Sequence, residues 1–417
     1  MAERYVTIDA VRGVAVLGIL LMNIVSMGLP VYAYVDPTYA GGAQGANLWA
    51  WGISYVLIDG KTRALFTMLF GASLILVADR AEQAGENPAR VHYARMFWLL
   101  VFGLIHAWLI WYGDILYDYA IVGALLFFAR KAPAPLLLLA GAAITLGFAL
   151  DGLVDGPRLA HLRDLAQAPG AAPAAVAAWR EALAGLVPAP GVKAAEIAGY
   201  TGGFLDALRV RAPMAAQYQT SSFLEANAWD VAGCMLIGMG LYRLGVFTGR
   251  CQTRVYLALI ALGYLVVLPA YIPLTHDLVG SGFDPLIVMR NDELVGVLRI
   301  PVALAHASVV ILIARRWPET PVIARLSAVG QMALSNYLAA SLIGTTIFYG
   351  YGLGLFGALE RHELYFVVAG IWAFQILWSP WWLGAFRYGP FEWAWRSLAR
   401  GRLQPLRRVE SAGAAAA

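Results

Sequence analysis

The chain has 417 residues, of which 60% are hydrophobic and only 13% charged, with a formal net charge of +4. Soluble domains carry about 25% charged residues, so this composition and a mean hydropathy of +0.66 exclude an ordinary soluble protein, and the apolar content excludes a disordered one. The small, dispersed charge leaves no basic patch for nucleic acid, and Cys234 and Cys251 form neither a disulfide framework nor a metal motif.

A membrane-crossing helix needs roughly 20 mainly apolar residues. Ten spans are predicted, near 14–34, 55–78, 94–112, 115–129, 135–150, 228–246, 255–272, 294–314, 326–349 and 364–386. The fourth is short enough for a half-helix or re-entrant segment. The expected fold is all-α: a polytopic membrane helical bundle, with the lipid bilayer as its first partner. Its regions are helices one to five over 1–150, an extracytoplasmic loop with short helices over 151–227, helices six to ten with an interfacial helix over 228–400, and a tail over 401–417.

Alternate loops and both ends hold nineteen Lys and Arg, from Arg4 and Arg12 to Arg407 and Arg408, while the opposite short loops hold only Arg290 and Arg361. The positive-inside rule then puts both termini in the cytoplasm. The first apolar run lacks a convincing cleavage site and reads as an uncleaved helix. Within the outer loop, 174–186 and 192–210 have helix-forming composition, suited to lying on the membrane or capping an outward cavity. Trp393 and Trp395 beside Arg396 mark an interfacial helix near 389–398, and 411–417 is expected to be a disordered end.

Ionisable groups inside a span are costly and mark function by default. Asp9, Arg12 and Asn23 fall within about 60° of one another on a helix. That stripe, with Arg4 before it, suits an anionic ligand at the cytoplasmic mouth, or a structural Asp9–Arg12 pair. Asp59 and Arg63, at i and i+4, are expected to pair on one face. His106 precedes Asp114 across a tight hairpin, with Asp118 a turn deeper. A His beside a carboxylate is the minimal general-base pair, which makes His106 and Asp114 the candidate catalytic residues and implies that His106 faces a polar cavity. Arg299 and His306 share a face of the eighth span. A buried Arg needs an anion, and Asp114, Asp118, Glu225 and Asp230 are the candidates at that level. In the ninth span Gln331, Ser335, Thr345 and Tyr349 form one stripe, with Asn336 on the far side. No Walker loop, dinucleotide fingerprint or HExxH occurs, and no metal site is expected.

Several segments resemble the YeiB family of bacterial inner-membrane proteins (domain of unknown function 418). They are Arg4 to Gly13, Leu69-Phe-Gly71, His106 with Gly113-Asp114-Ile-Leu and Tyr119-Ala, Ala333-Leu-Ser-Asn336-Tyr337-Leu, and Gly389-Pro390-Phe-Glu392-Trp393. The first motif with Asn23 also resembles heparan-α-glucosaminide N-acetyltransferase and wider membrane acyltransferases. That resemblance implies a bundle taking an acyl group from a cytoplasmic donor such as acyl-CoA and passing it to a hydroxyl or amine across the membrane. It also implies a homodimer. The acetyltransferase carries its candidate histidine between the first two spans, whereas residues 36–55 here contain none.

The expected function is therefore a transmembrane acyltransferase of the bacterial inner membrane. His106 would be the base and Asp114 its orienter, with Asp9, Arg12, Asn23, Asp59, Arg63, Arg299 and Asn336 on donor or substrate. The acceptor would be a small molecule, glycan or lipid. The competing expectation is a transporter or lipid-handling protein that performs no chemistry, its polar residues lining a path. A scaffold or receptor-like bundle is the third.

Overall fold

The computed structural model describes residues 5–408; Arg4 and the 411–417 end lie outside them. Seventeen α-helices follow one another among these residues. The first half holds α1 (Val6–Gly28), α2 (Ala46–Ile53), α3 (Lys61–Gln83), α4 (Pro88–Ile105), α5 (Leu116–Leu126) and α6 (Ala134–Gln167), then α7 (Pro173–Leu186), α8 (Val192–Thr201) and α9 (Phe204–Gln219). The second holds α10 (Ala228–Arg243), α11 (Thr253–Ala261), α12 (Tyr271–Gly280), α13 (Pro285–Arg316), α14 (Pro321–Gln331), α15 (Ala333–Phe348), α16 (Arg361–Ala385) and α17 (Pro390–Arg400). No strand forms among the described residues; one isolated bridge joins Phe386 to Arg407.

The helix starts follow from local chemistry. Asn87 accepts from the amides of Ala89 and Arg90 at 2.9 and 3.2 Å, with Pro88 at the first helical position of α4. Asp284 caps α13 in the same way, taking the Leu286 amide at 3.0 Å. Central α1 packs against α3, α13, α14, α15 and α16. Its closest approach is to α14: a Cβ on Gly13 would stand 2.0 Å from the Leu326 carbonyl oxygen, and one on Gly330 would stand 1.9 Å from that of Asp9. Only glycine lets the two backbones meet there.

The chain is a membrane helical bundle. Six helical segments of the described residues are long and apolar enough to cross a bilayer, or seven if the bent pair α14–α15 counts as one span. The other expected spans correspond to α5, α10 and the start of α6. α5 has 11 residues and α10 has 16, short of a full crossing, and α10 lies between α3 and α6.

Several expectations are corrected. The ninth span is not one helix: α14 and α15 meet at 81° around Met332, which breaks the predicted stripe. The second span is interrupted by a π-turn, Ser54–Ile58, and then by Asp59 and Gly60, the latter at φ 71°. The 192–210 helix divides into α8 and α9 at Gly202–Gly203, and α6 continues past residue 150.

The N-terminal ends of α1 and α4, the C-terminal end of α3, and α17 gather at one end of the bundle. The hairpin between α4 and α5, the break before α3 and the outer helices α8 and α9 gather at the other. The chemistry lies between these two ends.

Candidate functional site

The α4–α5 hairpin sets the central geometry. α4 ends in a π-turn, His106–Ile110, closed by the Trp111 amide donating to the His106 carbonyl at 2.8 Å. Wide turns of this kind recur at functional positions. The turn leaves carbonyls without helical partners, and fully buried Arg211 of α9 takes two: its Nε donates to Trp108 at 3.0 Å and an Nη to Ile110 at 2.8 Å. Asp114 then turns the chain into α5, accepting the Tyr117 amide at 2.8 Å through Oδ1. Its Oδ2 accepts from His106 Nδ1 at 2.7 Å. Facing an ionised carboxylate Nδ1 is the donor, which in the neutral ring leaves the lone pair on Nε2. Nε2 is buried and has no hydrogen-bond partner among the described residues.

The dyad is dry, with side-chain exposures of 1% for His106 and 2% for Asp114. Trp111 and Tyr337 flank the imidazole, with ring centroids 6.3 and 5.1 Å away. The ring lines neither of the two large cavities beside it, which corrects the expectation that His106 faces one. Its neighbours Tyr337, Trp111 and Asp114 do line the nearer cavity.

That outer cavity holds about 470 Å³ and is lined by Asn23, Arg63, Asp114, Asp118, Tyr218 and Tyr337, among others. Tyr218 of α9 and Asn227, just before α10, also line it. The second cavity, about 270 Å³, lies at the opposite end of the bundle and is lined by Arg12, Arg80, Arg95, Arg396, Glu392 and Tyr337, among others. Tyr337 belongs to both walls, and the layer between them includes Ile115, Leu116, Asp118 and Tyr119. Among the described residues the spaces at the two ends are separate cavities that meet at Tyr337.

The remaining predicted residues divide between these spaces. Asp9 and Arg12 pair at 3.3 Å and Arg12 donates to Ser73 at 2.9 Å. Arg12 lines the second cavity, whereas Asn23 of the same stripe lines the outer one. Asp59 and Arg63 do not pair, because Gly60 breaks the helix between them. Asp59 instead accepts from the Tyr34 hydroxyl at 2.5 Å and lines a third, small cavity of about 50 Å³ with Tyr55 and Asp292. Arg63 pairs with Asp230 at 3.3 Å, and buried Arg299 donates to the same carboxylate. Arg299 has thus found one of its four candidate partners. Asn336 lines neither large cavity: its Nδ2 donates to Val329 at 3.1 Å and to Ser379 at 3.0 Å, adding a second donor to the Val329 carbonyl that also accepts the Met332 amide at the bend. His306 is likewise structural, bridging Tyr264 at 2.6 Å and the Leu57 carbonyl at 2.8 Å.

The sequence reading missed Tyr337, Arg211 and Glu392. Tyr337 and Glu392 lie inside quoted motifs, their only signal. Glu392 reaches across to the start of α15, accepting the Leu334 and Ser335 amides at 2.7 and 3.0 Å and the Ser335 hydroxyl at 2.5 Å. Burial pushes its carboxyl up, and these donors pull it back only in part. Among the described residues no group of three His, Cys, Asp or Glu could hold a metal ion.

Residues 241–402 match the model of a protein family described as "Protein of unknown function (DUF418)". The chain is 34% identical to "Uncharacterized protein YeiB" of Escherichia coli K12, over 95% of this chain and 96% of that one. It is 28% identical to "Uncharacterized protein YxaH" of Bacillus subtilis 168, over 97% and 96% respectively. No solved structure matches. Full-length likeness at this identity, together with the family match from the end of α10 through α17, makes the chain a member of the YeiB, or DUF418, family of membrane proteins.

Proposed function

We propose that this protein is an acyltransferase of the bacterial inner membrane, both termini cytoplasmic, that moves an acyl group from a cytoplasmic acyl-CoA-type donor to a hydroxyl or amine entering the outer cavity. The observation that carries this reading is the dyad: a dry His106 whose Nδ1 is fixed by Asp114 and whose Nε2 has no partner. In a membrane interior an orphaned imidazole nitrogen is costly, and an acceptor hydroxyl or amine would satisfy it. The acceptor's O–H or N–H gives its proton to Nε2 as its heteroatom bonds to the thioester carbonyl carbon. The carbon–sulfur bond breaks, and the imidazolium returns the proton to the departing thiolate. Asp114 supports the imidazolium. Tyr337 packs on the His106 ring and lines both cavities, so in this reading its side chain must swing aside for acceptor and thioester to meet within the roughly 3 Å of Nε2 that proton transfer requires.

The test uses membrane vesicles from cells producing the protein, fed labelled acetyl-CoA. Wild type should label a lipid or glycan fraction. His106→Gln, which nearly conserves volume, should abolish labelling with its thermal midpoint nearly unchanged. Wild type that labels no fraction above empty vesicles, or His106→Gln that labels normally, overturns the reading. The back-to-back cavities also suit a carrier that performs no chemistry. Uptake of solute by proteoliposomes without any donor would favour that alternative.

A further inference from the structure

The cavity at the α17 end combines four guanidiniums, of Arg12, Arg80, Arg95 and Arg396, with one carboxylate, of Glu392. Glu392 forms no ion pair with them among the described residues; its oxygens accept from Leu334 and Ser335. Arg12 has Asp9 as its counter-ion. The Arg95 guanidinium stacks 3.9 Å from the centre of the Trp395 ring, and Arg396 stacks 4.5 Å from that of Tyr388. Among the described residues neither has a carboxylate partner. Burial and then the charges of Arg400 and Arg80 depress the Arg396 guanidinium below its usual range. Like charges gathered in a partly buried, low-dielectric space repel strongly, and a polyanion relieves that repulsion. Stacking through the guanidinium face leaves the N–H edge as the part that can grip, in a fork that matches a phosphate. Phe66, Phe70, Met96 and Leu99 line the remainder of the same cavity. The space is thus charged in one part and apolar in another.

We infer that this cavity binds a phosphate-bearing ligand, with Arg95 and Arg396 gripping the phosphate and Arg12 and Arg80 adding positive field. The assignment of that phosphate to the acyl donor rests on the transfer reading; the anion site does not. A volume of about 270 Å³ admits a diphosphate and the start of a slender chain, not a whole nucleotide. The same chemistry belongs to two sources, a nucleotide-linked thioester from solution and the headgroup of an anionic phospholipid.

The experiment measures binding of coenzyme A, and separately of inorganic pyrophosphate, to the purified protein in non-ionic detergent by titration calorimetry. Bound phospholipid is quantified by mass spectrometry of the same sample. Coenzyme A should bind in a salt-sensitive manner, and Arg95→Gln and Arg396→Gln should each weaken it about tenfold or more. Arg254→Gln, exposed and outside the cavity, should bind as wild type. His106→Gln should also bind as wild type, so that loss of transfer and loss of the anion site are read separately. If Arg95→Gln does not fold, Arg396→Lys, which keeps the charge and loses the fork, should still weaken binding. Phosphatidylglycerol retained by wild type and lost from the variants, with no coenzyme A binding, supports the anion site and overturns its assignment to the donor. Arginine variants that bind coenzyme A as wild type does, or a wild type that retains neither ligand, overturn the inference.

Discussion

Removing the Glu392 carboxylate should unhinge the bend between α14 and α15. Three donors converge on it: the Leu334 and Ser335 amides and the Ser335 hydroxyl, at 2.7, 3.0 and 2.5 Å. The two amides open α15, so no intrahelical carbonyl can take them. Each buried donor left unsatisfied costs about 1–3 kcal/mol. Glu392→Ala should therefore destabilise by about 3 kcal/mol, the lower bound of three such donors. Glu392→Gln keeps one acceptor oxygen for the amides and should lose about 1 kcal/mol. The assay is the thermal midpoint of purified protein in one detergent at one scan rate, since membrane-protein unfolding is commonly irreversible. Equal midpoints for Glu392→Ala and wild type, or a Gln variant as damaged as the Ala variant, would refute the assignment of Glu392 as the cap of α15.

Glu196 offers a pH test outside the spans: it is buried, accepts the Val31 amide at 2.9 Å, and is pushed up from 4.5 to about 7, mainly by burial. An acid raised on folding adds stability that is complete below its unfolded value and is lost as pH rises through about 7, by at most about 3 kcal/mol. Thermal midpoints should fall as pH rises from 4.5 to about 7, and Glu196→Gln should flatten that slope; an unchanged slope rules Glu196 out as its origin. For the shared carboxylate of Arg63 and Arg299, Asp230→Asn strands two guanidiniums whereas Arg299→Met leaves one pair intact. The Asn variant should therefore cost more, about 3–5 kcal/mol, and the reverse ranking of midpoints would contradict the network. With the native cysteines removed, cysteines at Gly170 and Leu403 should label from opposite sides of the membrane; labelling from one side for both would reject the proposed orientation.

The parts of this molecule visible in the sequence are those decided over one or two helical turns. His106 and Asp114 meet because eight residues and a tight hairpin leave a carboxylate little else to reach. The burial of Arg299 was also legible, but its partner could be narrowed only to four acids, since the packing of both α10 and α13 on α3 decides which is used. The Asp59–Arg63 pair failed for a local reason: Gly60 takes a left-handed turn that ends helical spacing. The bend at Met332 was illegible because its stabiliser, Glu392, lies 57 residues from Ser335. Asn336, read as a binding residue, belongs to that bend. The two cavities were likewise invisible, because each is walled by side chains from helices far apart in the chain.

The single ring that belongs to both cavity walls has an electrical consequence. If each cavity conducts as well as the solution it faces, nearly all of the transmembrane voltage falls across the layer of Tyr337 and its neighbours rather than over the full bilayer. One charge crossing 100 mV exchanges about 2.3 kcal/mol with the field. A proton leaving His106 for one side or the other would then be driven or opposed by membrane potential over a few ångströms. Tyr337 is the insulator in this arrangement. Replacing it by Ala should let protons leak down an imposed potential in proteoliposomes, and an undiminished potential would place the insulating layer elsewhere.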